Sequence, residues 1–457
     1  MTAAFGTRPA TATAATGPLA RLAALLAGHG SALAALGVRV AAAALGYGMQ
    51  IVLARLLGAA DYGAFAYAWA WLAIAGFSST FGLGQTAVRW LAHYHETGDR
   101  ARERGFVRWS IATVTFGAAL LAAAGYAALS AWPGLVAPAY RAPMLLMLAA
   151  VPLFALGDLA EGFARSRGRT VLALVPPYLV RPALLVASLP LMLAAGVPLT
   201  ATTAMTAAVI ATALTAIGQL ALTRRAILAD AADATPAYRP RLWLASSLPV
   251  LVSDIAQLLR QNADLILLAA VVPPDRVALY FAATRVASLL GLVEFAVGAA
   301  AGHRFARVAP DADPATLATV VRQSVHLTFW PTLLAALALA ALAPLVLTLF
   351  GPAYAAGSTL VTVLAAGYVA RAAIGPAEDL LIMRGHSGAA LGAQIGGLAT
   401  AIALGLVLIP VIGAMGAALT AAGALFVTTA LLALACRRVT GFWPLPLPSS
   451  AQREMTP

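Results

Sequence analysis

From about residue 31 to residue 436 the chain alternates long apolar runs with short polar breaks. Each run has the roughly 20 residues that a helix, rising 1.5 Å per residue, needs to cross a hydrocarbon core about 30 Å thick. Breaking the pattern at Gly, Pro and Arg clusters predicts twelve helices, over 33–57, 63–88, 106–130, 141–164, 170–195, 200–223, 242–271, 277–302, 323–349, 357–382, 387–410 and 414–436. No gap is long enough for a folded aqueous domain. The fold class is therefore all-α, a polytopic membrane protein.

Composition agrees. Of 457 residues, 61% are hydrophobic and 10% are charged, against roughly 25% charged in an ordinary soluble chain. The net charge of +12 rests on arginine alone, since lysine is absent. In so apolar a chain this charge does not mark a nucleic-acid binder. The single cysteine, Cys436, excludes an intrachain disulfide. Without lysine there is no GxxxxGK[ST] phosphate loop, so energy for any transport must come from an ion gradient, a substrate gradient or downstream polymerisation.

The arginines set the orientation, because cytoplasmic loops carry the basic excess. With the N-terminus inside, the inner loops hold Arg100, Arg102, Arg104, Arg108, Arg165, Arg167, Arg169, Arg224, Arg225, Arg239, Arg241, Arg304, Arg307, Arg322 and Arg384. The outer loops hold little beyond Arg55, Arg141 and Arg276. Both termini are expected in the cytoplasm, in a bacterial cytoplasmic (inner) membrane. Trp132, Tyr140, Tyr354 and Trp243 stand near predicted span ends, where aromatic rings favour the headgroup zone.

An internal repeat divides the chain. Leu57 to Ala68 (LGAADYGAFAYA) can be laid over Val272 to Ala283 (VPPDRVALYFAA), and Pro138-Ala139-Tyr140 is echoed by Pro352-Ala353-Tyr354. Glu161 precedes Arg167-Gly168 by the same six residues that separate Glu378 from Arg384-Gly385. These echoes predict two homologous six-helix lobes, 33–223 and 242–436, joined by a polar cytoplasmic linker at 224–241. Residues 1–32 read as a disordered cytoplasmic tail and 437–457 as a second cytoplasmic tail. An even number of spans per lobe sets the pseudo-two-fold axis along the membrane normal and places a cavity between the lobes.

The stretches IVLARLLGAADYGAFAYAWAWL and FGLGQTAVRWLA in the first half resemble oligosaccharide flippases of the Wzx type, as do ADLILLAAVVPPDRVALYFAATRVASLL, LFGPAYAAGSTLVTVLAAGYV and LIPVIGAMGAALT in the second. Those flippases belong to the exporter superfamily that also holds multidrug extruders and lipid II flippases. The resemblance implies a MATE-like fold of two six-helix lobes around a V-shaped cavity, working by alternating access. Ala278, where the second lobe would be expected to repeat Gly63, departs from the pattern.

Charged groups inside a span are costly unless paired or hydrated, which makes them functional candidates. Arg39, Arg181, Arg260, Arg285 and Arg371 fall within predicted spans, and a guanidinium fork suits phosphate oxygens or glycan hydroxyls. The family resemblance also implies cationic residues in the first and eighth helices, where Arg39 and Arg285 lie. The alternatives are snorkelling to an interface or pairing with a nearby acid. Asp254, Gln257 and Gln261 form one polar stripe, and Asp264 stands four residues beyond Arg260 as a possible partner. Asp158, Asp254, Asp264, Glu294, Glu378 and Asp379 are candidates to bind a coupling ion, H⁺ or Na⁺; Glu161 and Glu378 lie near cytoplasmic span ends, which favours a structural role for them at least as much. His93 and His95 form an HxH with no further ligand cluster, too little for a metal site. No other cofactor is expected.

Three readings follow. The first is a flippase, not an enzyme, moving polyprenyl-diphosphate-linked glycan across the inner membrane for surface polysaccharide, with membrane lipid, a polymerase and other assembly proteins as partners. The second is a cation-coupled multidrug extruder of the same fold, which calls for an acid-dominated cavity. The third, a membrane-embedded glycosyltransferase or polymerase, calls for larger outer loops than these.

Overall fold

The computed structural model describes residues 30–228, 234–294, 296–297 and 314–446. Most of the predicted N-terminal tail, Asp230 and Asp233 of the linker, Arg304, Arg307 and residues 447–457 lie outside the described residues.

The helices are α1 (Gly30–Ser78), α2 (Leu83–Glu96), α3 (Arg100–Ala131), α4 (Pro138–Ser166), α5 (Thr170–Val175), α6 (Arg181–Ala194), α7 (Ala201–Leu228), α8 (Pro240–Ala269), α9 (Pro274–Ser288), α10 (Pro314–Thr348), α11 (Ser358–Ala372), α12 (Ala377–Met383) and α13 (Ser387–Thr440). A π-helical turn, Pro176–Val180, joins α5 to α6. No strand occurs among the described residues. In lipid the backbone must satisfy its own hydrogen bonds, which leaves a chain of this composition the helix.

Among the described residues, ten segments are long and apolar enough to cross a membrane. Two of them each contain two limbs. In α1 the break is Gly58, at φ 75° and ψ 170°, a conformation glycine adopts without steric cost. Tyr62 donates to Gln50 Oε1 at 3.0 Å; on a straight helix these residues would stand about 18 Å apart, so the chain doubles back. In α13 the break falls at Ile412 and Gly413. Gly397 meets Thr428, and Gly396 meets Leu431, although residues 397 and 428 would be about 46 Å apart on a straight helix. With both hairpins resolved into limbs, the ten segments comprise twelve apolar limbs among the described residues, consistent with two lobes of six.

In the N-lobe α4 is central, packing on α1, α2, α3 and α7; in the C-lobe α13 packs on α8, α11 and α12. The lobes meet along the first limb of α1, where Tyr47 reaches α9, and at both ends of the bundle. On the face opposite the arginine-rich loops, the two copies of the repeat press together: Tyr62 packs edge-on to Phe281 at 5.8 Å and to Tyr354 at 6.4 Å. Arg55 Nε donates to Leu349 O at 2.6 Å and its Nη2 to Thr348 O at 3.2 Å. Gly63 lies against the backbone of Pro274 and Ala278, so the departure at Ala278 sits where the two lobes touch. Toward the arginine-rich face, α2 meets α8: Trp90 Nε1 donates to Ser246 Oγ and Trp243 Nε1 to Tyr94 OH, both at 2.9 Å.

The arginine-rich loops are themselves stitched together. Glu103, fully buried, receives Arg100 at 2.9 Å and Arg167 from the α4–α5 connection. The described part of the linker lies on α3, with Ala237 N donating to Ala101 O at 2.9 Å and Arg104 Nη1 to Ala234 O at 2.8 Å.

Candidate functional site

The polar residues within the spans gather into three recesses that adjoin one another through shared lining residues. One, of about 410 Å³, lies inside the C-lobe and brings together Arg260, Asp264, Arg285, Glu294, Arg371, Glu378 and Gln394. A second, of about 230 Å³, lies between the lobes and takes Asp158 from α4 with Asp254, Gln257 and Gln261 from α8. A third, of about 220 Å³, lies inside the N-lobe around Asp158, Glu161 and Arg181. Phe77 and Asp158 belong to the second and third, and Gln257 and Gln261 to the first and second. The stripe Asp254–Gln257–Gln261 thus faces the inter-lobe space, as its helical spacing demands.

The charges of the C-lobe recess follow from their partners. Arg371 Nη2 lies 3.0 Å from both Glu294 Oε1 and Glu378 Oε2, so one guanidinium serves two carboxylates. Gln394 Nε2 donates to the other Glu378 oxygen at 2.9 Å, and Gln394 Oε1 accepts from Arg260 Nε at 2.8 Å. Asp264 accepts from Tyr280 OH and from the Leu265 backbone N–H, the latter at 2.8 Å. All three acids are engaged inside the protein. Arg260 makes no ion pair among the described residues. Arg285 Cζ lies 4.5 Å from the Phe281 ring centroid, and no hydrogen bond from the terminal nitrogens of Arg260 or Arg285 occurs among the described residues. Two guanidinium groups therefore retain donors for a ligand.

Two expectations are corrected here. Helical spacing suggested an Arg260–Asp264 pair, but neighbouring helices offer each group a better partner, Gln394 on α13 and Tyr280 on α9. One cavity between the lobes was also expected. The polar space is instead divided: the recess between the lobes carries Asp158 and Asp254 with no arginine in its lining, and the cationic groups lie deeper in each lobe.

The remaining candidates divide. Arg181 lies over Trp69 and Phe154, with Cζ 5.5 Å and 5.1 Å from the ring centroids. Glu161 pairs with Arg165 at 3.5 Å. Asp379 is exposed on α12 and lines none of the three recesses. The Arg39 side chain lies outside the described residues. His95 Nδ1 contacts Arg100 at 2.6 Å, and no metal-holding group of three His, Cys, Asp or Glu occurs among the described residues.

Sequence reasoning missed Tyr280, Gln394, Gln219 and Tyr178. The two glutamines were visible as isolated amides in apolar runs. Tyr178 carried a further signal, since Pro176 and Pro177 before it remove two backbone donors from a span.

Beside the C-lobe recess runs an apolar groove of about 470 Å³ between the first limb of α1 and α9, lined by Val40, Ala43, Ile51, Val286, Leu289 and Leu292. Tyr47, on its wall, donates to the Arg285 carbonyl at 2.6 Å. The apolar groove and the arginine-bearing recess are thus linked through the Tyr47–Arg285 hydrogen bond.

Comparisons with known proteins bear on this two-lobed helical membrane fold. Residues 31–301 match the family model described as "Polysaccharide biosynthesis protein", and the chain belongs to that family. A search of curated protein sequences found no match. Among solved structures, the chain is similar to the lipid II flippase MurJ in an inward closed conformation, with TM-score 0.69 and 12% identity over 88% of this chain and 87% of that one. It is similar to a multidrug resistance MATE family transporter of the MOP superfamily, inward-facing, with TM-score 0.66 and 14% identity over 90% and 96%. A MOP superfamily transporter from Pyrococcus furiosus, whose structure is described by a reversed polarity of its binding pocket, matches with TM-score 0.57 and 14% identity over 89% and 93%. At these identities the likeness is one of fold.

Proposed function

We propose that this chain is a lipid-linked oligosaccharide flippase, carrying polyprenyl-diphosphate-linked glycan from the inner to the outer leaflet of a bacterial cytoplasmic membrane by alternating access of lobes 33–223 and 242–436. The observation that carries it is the junction in the C-lobe. Arg260 and Arg285 keep donors suited to diphosphate oxygens, and the adjoining groove offers an apolar bed for a prenyl chain. Family membership supports the polysaccharide side of the reading.

Coupling is proposed to run through Asp158 and Asp254. They line one recess from opposite lobes, so H⁺ or Na⁺ bound there would relieve their repulsion and favour the arrangement that brings them together. The arginine-rich loops are assigned to the cytoplasm by the positive-inside rule, with both termini on that side.

The acidic recess between the lobes gives the multidrug reading its one favourable feature. Proteoliposomes separate the two. Delivery of labelled polyprenyl-diphosphate oligosaccharide to the opposite leaflet, with no efflux of organic cations, supports the flippase. Cation efflux without lipid delivery refutes it.

A further inference from the structure

The N-lobe recess lies apart from Arg260 and Arg285, and it is built as a binding site. It lies at the π-helical turn Pro176–Val180, and such turns recur at functional sites because they push side chains off the helical register. Tyr178, on this turn, lines the recess, is 44% exposed, and packs against no other aromatic ring among the described residues. Arg181, one turn on, sets its Cζ over the rings of Trp69 and Phe154. Its donors lie along the guanidinium edge, and no hydrogen bond from it to the protein occurs among the described residues.

The acceptors face the same space. Asp158 accepts no hydrogen bond among the described residues, and Gln219 spends its Nε2 on the carbonyls of Leu172 and Ala173, at 2.9 and 3.1 Å. Its Oε1 is what Gln219 can offer the recess. An anion alone would answer Arg181 and be repelled by Asp158; a cation alone would do the reverse. A hydroxyl donates and accepts at once, and a ring bearing several of them meets both demands while laying an apolar C–H face on Tyr178.

We infer that this recess is a carbohydrate subsite, which takes an uncharged sugar ring of the glycan while the C-lobe arginines hold the diphosphate. This deepens the flippase reading and rests on it. The chain would then recognise its cargo twice, once by the lipid-linked phosphate shared by all such carriers and once by the sugar.

The full chain in nanodiscs tests this with two ligands: bare polyprenyl diphosphate, and the polyprenyl-diphosphate oligosaccharide extracted from the producing cells. Tyr178→Ala should weaken binding of the glycan-bearing lipid about tenfold and leave the bare lipid unchanged, with Tyr178→Phe close to the parent. Equal losses on both lipids, or none on either, overturn the subsite. Should the parent bind neither lipid, the flippase reading fails by itself. The oligosaccharide freed by mild acid then decides the subsite: saturation transfer from the parent but not from Tyr178→Ala upholds it, and none from the parent overturns it.

Discussion

Gly63 offers a sharp test of how the lobes close. A Cβ placed there would stand 2.7 Å from the Pro274 carbonyl carbon, closer still to its oxygen, and 3.1 Å from Ala278 N. Non-bonded contact of heavy atoms is comfortable at about 3.5–4.0 Å. All three atoms belong to α9 backbone, which cannot swing aside as a side chain can, so Gly63→Ala must push the lobes apart on the face opposite the arginine-rich loops. Overpacking of this kind costs about 1–3 kcal/mol. Set against a two-state equilibrium, that is a shift of about 5–150-fold away from the arrangement closed on this face. Spin labels at Ala60→Cys and Arg276→Cys, both exposed on that face, would report it by pulsed electron resonance as a longer and broader distance distribution. An unchanged distribution in a folded, inserted Gly63→Ala protein would refute the claim that this contact closes the lobes.

Other expectations follow from the same geometry. Arg371→Ala leaves Glu294 and Glu378 without their shared cation and should lower the thermal midpoint, with partial recovery on adding Glu378→Gln; a double variant no better than the single would sink that account. Glu103→Ala leaves Arg167 without its buried partner and should destabilise the N-lobe by about 3–5 kcal/mol in unfolding titrations, and a loss under 1 kcal/mol would mean that the cluster is solvated. Asp158→Asn should flatten any dependence of transport on the coupling gradient while leaving binding of bare polyprenyl diphosphate intact, and a gradient dependence equal to the parent's would remove Asp158 from coupling.

Much of this architecture was legible in the chain because lipid permits so few structures. Length, hydropathy and the breaks at Gly, Pro and Arg clusters marked out the apolar helices, and the helix pair within α13 was separable at the short break between residues 410 and 414. The arginines within spans announced polar interior, since the cost of burying a charge in lipid makes each one conspicuous. What could not be read was partnership. Arg260 and Asp264 stand four apart on one helix and still turn to Gln394 and Tyr280, from segments distant in sequence. Arg371, a candidate for substrate, is consumed by two carboxylates, one of them on the preceding lobe segment α9 and its extension. The division of one expected vestibule into three recesses is equally a matter of tertiary packing, which periodicity along a single helix does not encode.

The central claim, that guanidinium donors in the C-lobe engage the lipid diphosphate, is tested most directly by the initial rate at which labelled polyprenyl-diphosphate oligosaccharide changes leaflet in proteoliposomes carrying Arg260→Ala, Arg285→Ala or the parent chain. A charge-assisted hydrogen bond of about 1.5–3 kcal/mol puts each variant roughly 10- to 100-fold below the parent at equal insertion. Rates indistinguishable among the three would contradict it.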